Sequence, residues 1–488
     1  MNISISQSLR HTAGGTVWSF LAQALALPTG FITTVYLTHQ LGPEGYGLFT
    51  LAATLIGWVS WVTASLFSRA TIKFVSEADD WRSVGATTLR LHLVCGLVTT
   101  ALLWLTARPI AVLLGEPKLT IYLQLFALEP LLFVLAQTHR SILIGIGFFR
   151  EQAFPSAIRW LARLMLIVLL VEMGLSIFGA VLGSLGAALI ELAVYRFYVR
   201  PPLFFSSYFP ATRLWNYATP LFLLSLCTHL FNRVDLFVLT ALGGTAAEAG
   251  IYGAAQNLSI VAGLFTLSFS PLLLSTLSCM LKNGQDHAAQ KIGYEAMRLA
   301  FIMLPFAGMV SGAAPEIVIL IFDSAFKSTA PLFALLIFGS VAMVFISISN
   351  VIMIAAEKPW WTFALAGPML LLALIGHVLL IPLLGAIGAA MITTVLAGIG
   401  ALAGMVAVYY YLWHLLPPLG TAVRSVLLCG LSYIAAILLP TPGFWVVPKL
   451  LTIMIMIPLS FAILGEFSSN EIAAARSALI QWIPLKLN

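Results

Sequence analysis

The sequence predicts an all-α, polytopic integral membrane protein, and three observations predict it. Of 488 residues, 60 % are hydrophobic and only 9 % are charged, against roughly 25 % charged in soluble domains. The 24 Lys and Arg and 18 Asp and Glu are too few to clothe a soluble surface of this size, whereas a bilayer removes the need. Finally, the apolar residues fall into continuous runs of about 18 or more instead of ten-residue alternating segments, which selects helices over barrel strands.

Fourteen such runs are predicted, centred near Leu27, Ile56, Thr99, Pro130, Leu164, Gly186, Leu226, Leu264, Pro305, Val341, Leu371, Leu396, Leu431 and Met454. The first contains Ala24-Leu25-Ala26, a signal-peptidase-like triplet, but it continues from Gly14 to Leu37 and is longer than a typical signal h-region, so it reads as an uncleaved span. With the N-terminus placed in the cytoplasm, 19 of the 24 basic residues fall on the cytoplasmic side, only Arg108, Lys118, Lys327 and Lys449 fall outside, and Arg233 lies in a span. The positive-inside rule therefore predicts both termini cytoplasmic. Prolines at 28, 130, 220, 271, 305, 368 and 458 are expected to kink their spans, and Pro28 is singled out as a hinge.

Several classes are excluded. The formal charge of +6 comes from basic residues that occur singly or in pairs, with no run that would hold nucleic acid. No phosphate-binding G-x-x-x-x-G-K-[ST] loop occurs, so ATP hydrolysis is not expected. Cys95, Cys227, Cys279 and Cys429 stand alone in apolar stretches, which predicts small buried hydrophobes and neither a metal nor a redox site. External connections of about 5 to 15 residues leave no room for a catalytic domain.

The chain also repeats itself. Leu41-Gly42-Pro43-Glu44-Gly45-Tyr46-Gly47 after the first span is echoed by Leu242-Gly243 and Gly250-Ile251-Tyr252-Gly253 after the seventh, the Leu-Gly pairs lying 201 residues apart. Gly183-Ser184-Leu185-Gly186-Ala187-Ala188 recurs as Gly385-Ala386-Ile387-Gly388-Ala389-Ala390 at an offset of 202. An offset of six spans preserves orientation, so the copies are expected to be parallel repeats: two six-helix lobes, residues 1–200 and 201–415, followed by two more spans in 416–488. The turns at Gly42, Gly45, Gly243 and Gly250 would then form an external gate, with Gly45 and Gly250 approaching each other.

The Leu-Gly-Pro-Glu-Gly-Tyr-Gly turn, its echo ending in Gly250-Ile251-Tyr252, and Asn232-Arg233-Val234-Asp235 resemble the polysaccharide flippases of the multidrug, oligosaccharidyl-lipid and polysaccharide exporter superfamily. The resemblance covers the whole length as 6 + 6 + 2 spans. It implies a transporter of lipid-linked sugars across the bacterial inner membrane, with a central cavity between the lobes and no cofactor. Its substrate would be an isoprenoid-pyrophosphate-linked oligosaccharide, and polymerase and glycosyltransferases of surface polysaccharide synthesis (O-antigen, capsule or exopolysaccharide) would be its neighbours.

Ionisable residues inside spans cost roughly 2.5 to 3.5 kcal/mol each when unpaired. Glu129, Arg159, Arg163, Glu191, Arg233 and Asp235 must therefore be paired or wet. Arg159 and Arg163 share one helix face, and two readings fit. In one, Arg163 pairs with Glu129 and Arg159 with Glu191, as their depths suggest; in the other, the arginines face a cavity and bind phosphate, for which the guanidinium fork is suited. His229, Asn232 and Arg233 are further cavity candidates, and Asp235 is a candidate for proton coupling. A cation-coupled drug exporter of the same superfamily and a polytopic polymerase or ligase are the competing functions. The intramembrane arginines and fourteen spans disfavour the first, and the short external loops disfavour the second.

Overall fold

The computed structural model describes residues 25–203, 209–216, 218–219, 222, 234–356, 358–410, 418–441 and 443–467, which contain helices and no strand. Nine helices among the described residues are long and apolar enough to cross a membrane. Three of these are twice the needed length: Pro28–Glu77, Glu151–Tyr198 and Trp360–Val408, of 50, 48 and 49 residues. At 1.5 Å per residue each would extend about 75 Å, more than two bilayer cores of about 30 Å.

Each long helix is two spans joined without a loop. In α1 (Ala26–Glu77) the break is Gly42, with φ 64° and ψ −178°, followed by Pro43 as the first residue of the second arm. Only glycine occupies that conformation without strain, and proline is preorganised to begin a helix. Between α5 (Phe149–Leu170) and α6 (Ser176–Tyr198) a five-residue π turn carries Gly174 at φ 87°. In the helix Pro359–Val408 the break is Gly385 at φ 58°. Counting each bent helix twice gives twelve crossings. The 37-residue α8 (Ala246–Lys282) adds a thirteenth, and the seventh predicted run lies partly outside the described residues. The structure thus agrees with the fourteen-span reading.

By internal contacts the chain divides into two compact units, residues 1–258 with 366–393, and residues 259–365 with 394–488. The first contains α1, α2 (Trp81–Leu113), α3 (Leu119–Phe126), α4 (Glu129–Gly145), α5, α6, α7 (Val234–Ala241), the start of α8 and the central hairpin of α13 (Pro359–Val408). Small residues set its helix spacing. A methyl group added to Gly183 would lie 2.7 Å from the Ile167 backbone nitrogen, and one on Gly179 2.8 Å from the Leu170 carbonyl carbon. The arms of the α5–α6 hairpin therefore touch backbone to backbone, the close approach that membrane helices use in place of a hydrophobic driving force. In the third hairpin, Gly388 approaches the Leu380 carbonyl in the same way. A core of Phe67, Phe74, Val84, Ile142, Tyr195 and Leu214 closes one end of this unit.

The second unit contains α9 (Asp286–Ile302), α10 (Leu304–Gly312), α11 (Ala314–Phe322), α12 (Thr329–Ala355), α14 (Leu419–Leu438) and α15 (Val446–Ile463), with parts of α8 and α13. Lys449 is buried there because it has work to do: its ammonium pairs with Glu316 and donates to the Ala436 and Leu439 carbonyls at 2.8 and 2.9 Å. It thereby caps the C-terminus of α14, where a cation is favoured. Gly308 and Gly312 of α10 pack on the Cys429 and Tyr433 carbonyls of α14.

The prolines divide by context. Pro130 and Pro305 start new helices, α4 and α10, so their spans are broken and not merely kinked. Pro368 and Pro458 lie within helices. Pro28 stands in the first described turn of α1, and what precedes it lies outside the described residues.

Candidate functional site

The charged centre of the first unit is built from the α4–α5–α6 packing. Glu129 stands in the first turn of α4, and Arg159 reaches it at 2.9 Å while also reaching Glu191 of α6 at 3.0 Å. The guanidinium lies over the Phe133 ring, 4.9 Å from its centroid. All three charged side chains are at most 14 % exposed. The pairing expected from depth, Arg163 with Glu129, is not formed; Arg159 takes both carboxylates. Depth counted along ideal helices assumes equal tilt and unbroken spans, but the fourth span breaks just before Glu129, and one turn of error is only about 6 Å.

Arg163 is left with a different role in the geometry. Its Nε donates to the Ser184 hydroxyl at 3.3 Å, and it makes no ion pair among the described residues. It lines a cavity of about 480 Å³ and is the sole charged side chain of that wall among the described residues. Both arms of α1 contribute: Gly30 and Gly57 line the same space, which a straight helix would hold about 40 Å apart, so the arms run side by side. Thr33, Thr34, Thr50 and Thr54 supply hydroxyls, and Tyr46, Trp58 and Trp61 supply aromatic surface. From α8 come the amides of Gln256 and Asn257. The Asn257 amide donates to the Tyr46 hydroxyl at 2.8 Å and to Thr34 at 3.5 Å, tying α8 to both arms. The indole N–H of Trp58 has no acceptor among the described residues.

Asp235 is buried, and among the described residues its hydrogen-bond partners are all uncharged. Its carboxylate accepts from the Tyr252 hydroxyl and the Gln256 amide, both at 2.8 Å, from the Leu236 backbone N–H at 2.8 Å and from Thr393 at 3.4 Å. Gln256 thus bridges this carboxylate to the cavity wall. Nearby His377 is 1 % exposed and its Nδ1 has no hydrogen-bond partner among the described residues. His229, Asn232 and Arg233 lie outside the described residues. Among the described residues no group of three or more His, Cys, Asp or Glu side chains could hold a metal ion.

The glycine turns do meet, though not as Gly45 against Gly250. A methyl group on Gly250 would lie 2.3 Å from the Pro43 carbonyl oxygen and 2.9 Å from the Gly47 nitrogen, while one on Gly47 would overlap the Ala246 carbonyl. Gly45 instead faces Leu41 and Ile177. Two residues along a helix is about 200° around it, so Gly45 and Gly47 cannot both face α8. Gly42 and Gly243 make the turns themselves, at φ 64° and 103°. Beside them the Glu116 carboxylate accepts from the Ala246 N–H at 2.6 Å and caps α8, and Lys118 pairs with Glu44 at 3.0 Å on the surface.

Sequence reasoning missed Thr34, Tyr46, Gln256 and Asn257. The signal was present as uncharged polar side chains inside apolar runs, above all the adjacent Gln256-Asn257, but neutral residues incur less cost in a span than charges and so stand out less.

At least thirteen described crossings, together with a polar cavity in the first unit whose described lining carries one guanidinium and no carboxylate, define a polytopic membrane protein of the transporter class. The chain belongs to the polysaccharide biosynthesis protein family, whose profile matches residues 13–273, just over half of its length. It is 22 % identical over 321 residues to the succinoglycan biosynthesis transport protein ExoT of Rhizobium meliloti (strain 1021), a match covering 65 % of this chain and 64 % of that one. In fold it is similar to the lipid II flippase MurJ in an inward closed conformation, with a TM-score of 0.74 at 16 % identity, covering 92 % of this chain and 98 % of that one. It is also similar to an inward-facing multidrug resistance MATE family transporter of the MOP superfamily, with a TM-score of 0.61 at 14 % identity, covering 85 % and 95 %.

Proposed function

We propose that the protein flips an isoprenoid-pyrophosphate-linked oligosaccharide from the cytoplasmic to the outer leaflet of a bacterial inner membrane, by alternating access, for surface polysaccharide synthesis. The observation that carries this reading is Arg163: a guanidinium without a carboxylate partner, aimed into a cavity otherwise lined by hydroxyls, amides and aromatic rings. A pyrophosphate supplies the missing anion through charge-assisted, bidentate hydrogen bonds, and hydroxyl, amide and aromatic groups suit a sugar. A cavity for cationic drugs would carry carboxylates, and the lining residues include none. The family, the likeness to a succinoglycan transport protein and the flippase-like fold support the same reading.

Within it, Arg159, Glu129 and Glu191 hold the fold, Arg233, His229 and Asn232 take part in binding substrate, and Asp235 carries the coupling proton. Residues 1–200 and 201–415 act as the two lobes, both termini are cytoplasmic, and polymerase and glycosyltransferases work alongside. The test is a dithionite-quenching assay in proteoliposomes containing a fluorescent farnesyl-pyrophosphoryl-glucose. The wild-type chain should bring the probe across the bilayer, and Arg163→Gln should slow it by at least about tenfold, the loss of one charge-assisted contact. Wild-type proteoliposomes no faster than protein-free ones would overturn the proposal.

A further inference from the structure

The cavity wall holds more than a charge. Trp58 and Trp61 stand three residues apart on the second arm of α1 and so project from one face. Trp61 is 49 % exposed, and its ring is tilted on Phe133 at 5.7 Å. Among the described residues, Cβ atoms built on Gly57 and on Gly30 meet nothing within 4 Å, and both glycines line the cavity. The aromatic rings of the second arm therefore border a slot in which Gly57 beside them and Gly30 on the first arm leave room. Arg163 lines the same cavity, and the remaining lining groups among the described residues are neutral.

We infer that this slot is a sugar subsite: the first sugar of the lipid-linked unit, a neutral hexose, stacks on Trp58 and Trp61 over Gly57 while Arg163 holds the phosphate beside it. This rests on the flippase reading and adds to it a residue-level division of the site and a substrate class. Sugar C–H bonds carry partial positive charge and favour the electron-rich face of indole, the attraction that a cation feels more strongly. Thr33, Thr54 and Gln256 provide donors and acceptors for ring hydroxyls. A uronic acid in the same place would bring a second anion to a wall whose one guanidinium is already engaged, and would bind worse than no sugar at all.

The experiment measures equilibrium binding of three probes to the full-length protein in nanodiscs: farnesyl pyrophosphate, farnesyl-pyrophosphoryl-glucose and farnesyl-pyrophosphoryl-glucuronate. For the wild type the glucose probe should bind roughly five- to tenfold tighter than farnesyl pyrophosphate, the scale of one or two aromatic contacts, and the glucuronate probe weaker than either. Trp58→Ala should bring the ratio of the first two affinities close to one, and Trp58→Phe should retain most of it. Gly57→Leu, which fills the slot without removing an aromatic, should also abolish the ratio. Arg163→Gln should weaken both probes together and leave the ratio standing. The inference is overturned if the wild type binds glucose no better than bare pyrophosphate, if glucuronate matches glucose, or if Trp58→Ala and Gly57→Leu lower all affinities in proportion. Failure of every probe to bind the wild type would instead bring down the flippase reading, and the subsite with it.

Discussion

Arg159 and Arg163 sit one turn apart on α5 and have different surroundings: Arg159 is clasped by two carboxylates at 2.9 and 3.0 Å, while among the described residues Arg163 forms no ion pair, donates to the Ser184 hydroxyl at 3.3 Å and lines the cavity. The same residue type thus divides into a structural and a functional member. Arg159→Gln strands Glu129 and Glu191 in a buried site, and breaking such a pair costs about 3 to 5 kcal/mol, a large share of any fold's stability. Membrane abundance and thermal stability should collapse. Arg163→Gln strands no carboxylate, so abundance should stay near the wild-type level while export of surface glycan is lost. Equal loss of abundance in both variants would contradict this division.

The two carboxylates allow a second, sharper measurement. Glu129→Gln removes one of the anions that Arg159 serves, so in the Arg159→Gln background it should recover part of the lost stability. The coupling energy from the double-mutant cycle in detergent melts is expected in the range of about 0.5 to 3 kcal/mol. The same cycle with Arg163 in place of Arg159 should give a clearly smaller value, because Glu129 acts on Arg163 through space and without an ion pair. A coupling as large for Arg163 would restore the Arg163–Glu129 pair.

Much of this architecture is legible in the sequence because hydrocarbon leaves few choices: runs of 18 or more apolar residues must be helices, and Gly42 followed by Pro43 must be a turn. The shared face of Arg159 and Arg163 follows equally from helix geometry. The choice between them does not, because partner choice depends on where the fourth span breaks and on how α4 and α6 tilt against α5. The companions of Asp235, namely Tyr252, Gln256 and Thr393, come from residues up to 158 positions away, and a single sequence holds no record of such proximity. The cavity is illegible for a related reason, since Trp58 and Trp61 read equally well as interfacial anchors until the two arms of α1 are laid side by side.

Glu466 offers a test by pH. It lies just beyond the end of α15, and its side chain is 3 % exposed. Burial alone pushes its carboxyl up, but hydrogen bonds from Thr421, Arg298 and Arg424 outweigh this and hold it below the usual carboxylate range. Arg298 and Arg424 reach it at 2.8 and 2.6 Å, tying α9 and α14 to the end of α15. A depressed folded value contributes stability that is complete above the ordinary carboxylate range and is lost as pH falls through the depressed value. The melting temperature of the solubilised wild type should therefore drop on acidification through and below that range. Glu466→Gln should melt lower at neutral pH and lose less on acidification. A variant as acid-sensitive as the wild type would assign the transition to other carboxyls.

The contact between the glycine turns predicts how the cavity closes on the side assigned to the outside. Gly250 meets backbone atoms, the Pro43 carbonyl oxygen at 2.3 Å and the Gly47 nitrogen at 2.9 Å from an added methyl. Backbone cannot move aside as a flexible side chain can, so Gly250→Ala must force α8 away from the first turn, and Gly47→Ala must do so as well, against the Ala246 carbonyl. Gly45→Ala is the control: its methyl would meet Leu41 Cβ at 3.0 Å and the Ile177 side chain beyond 3.5 Å, neither of which belongs to α8. In a cysteine-free background carrying Thr54→Cys as a reporter on the cavity wall, an impermeant maleimide added outside should label the Gly250→Ala and Gly47→Ala proteins several-fold faster than the parent, and the Gly45→Ala protein at the parental rate. The Asn257 bond to Tyr46 lies next along α8, two turns from Gly250, so removing it with Asn257→Ala should raise labelling further when combined with Gly250→Ala. If Gly250→Ala folds, as judged by its elution and melting, and still labels at the parental rate, the apposed turns are not the outer barrier, and closure would have to lie deeper, at the Asn257–Tyr46 contact itself.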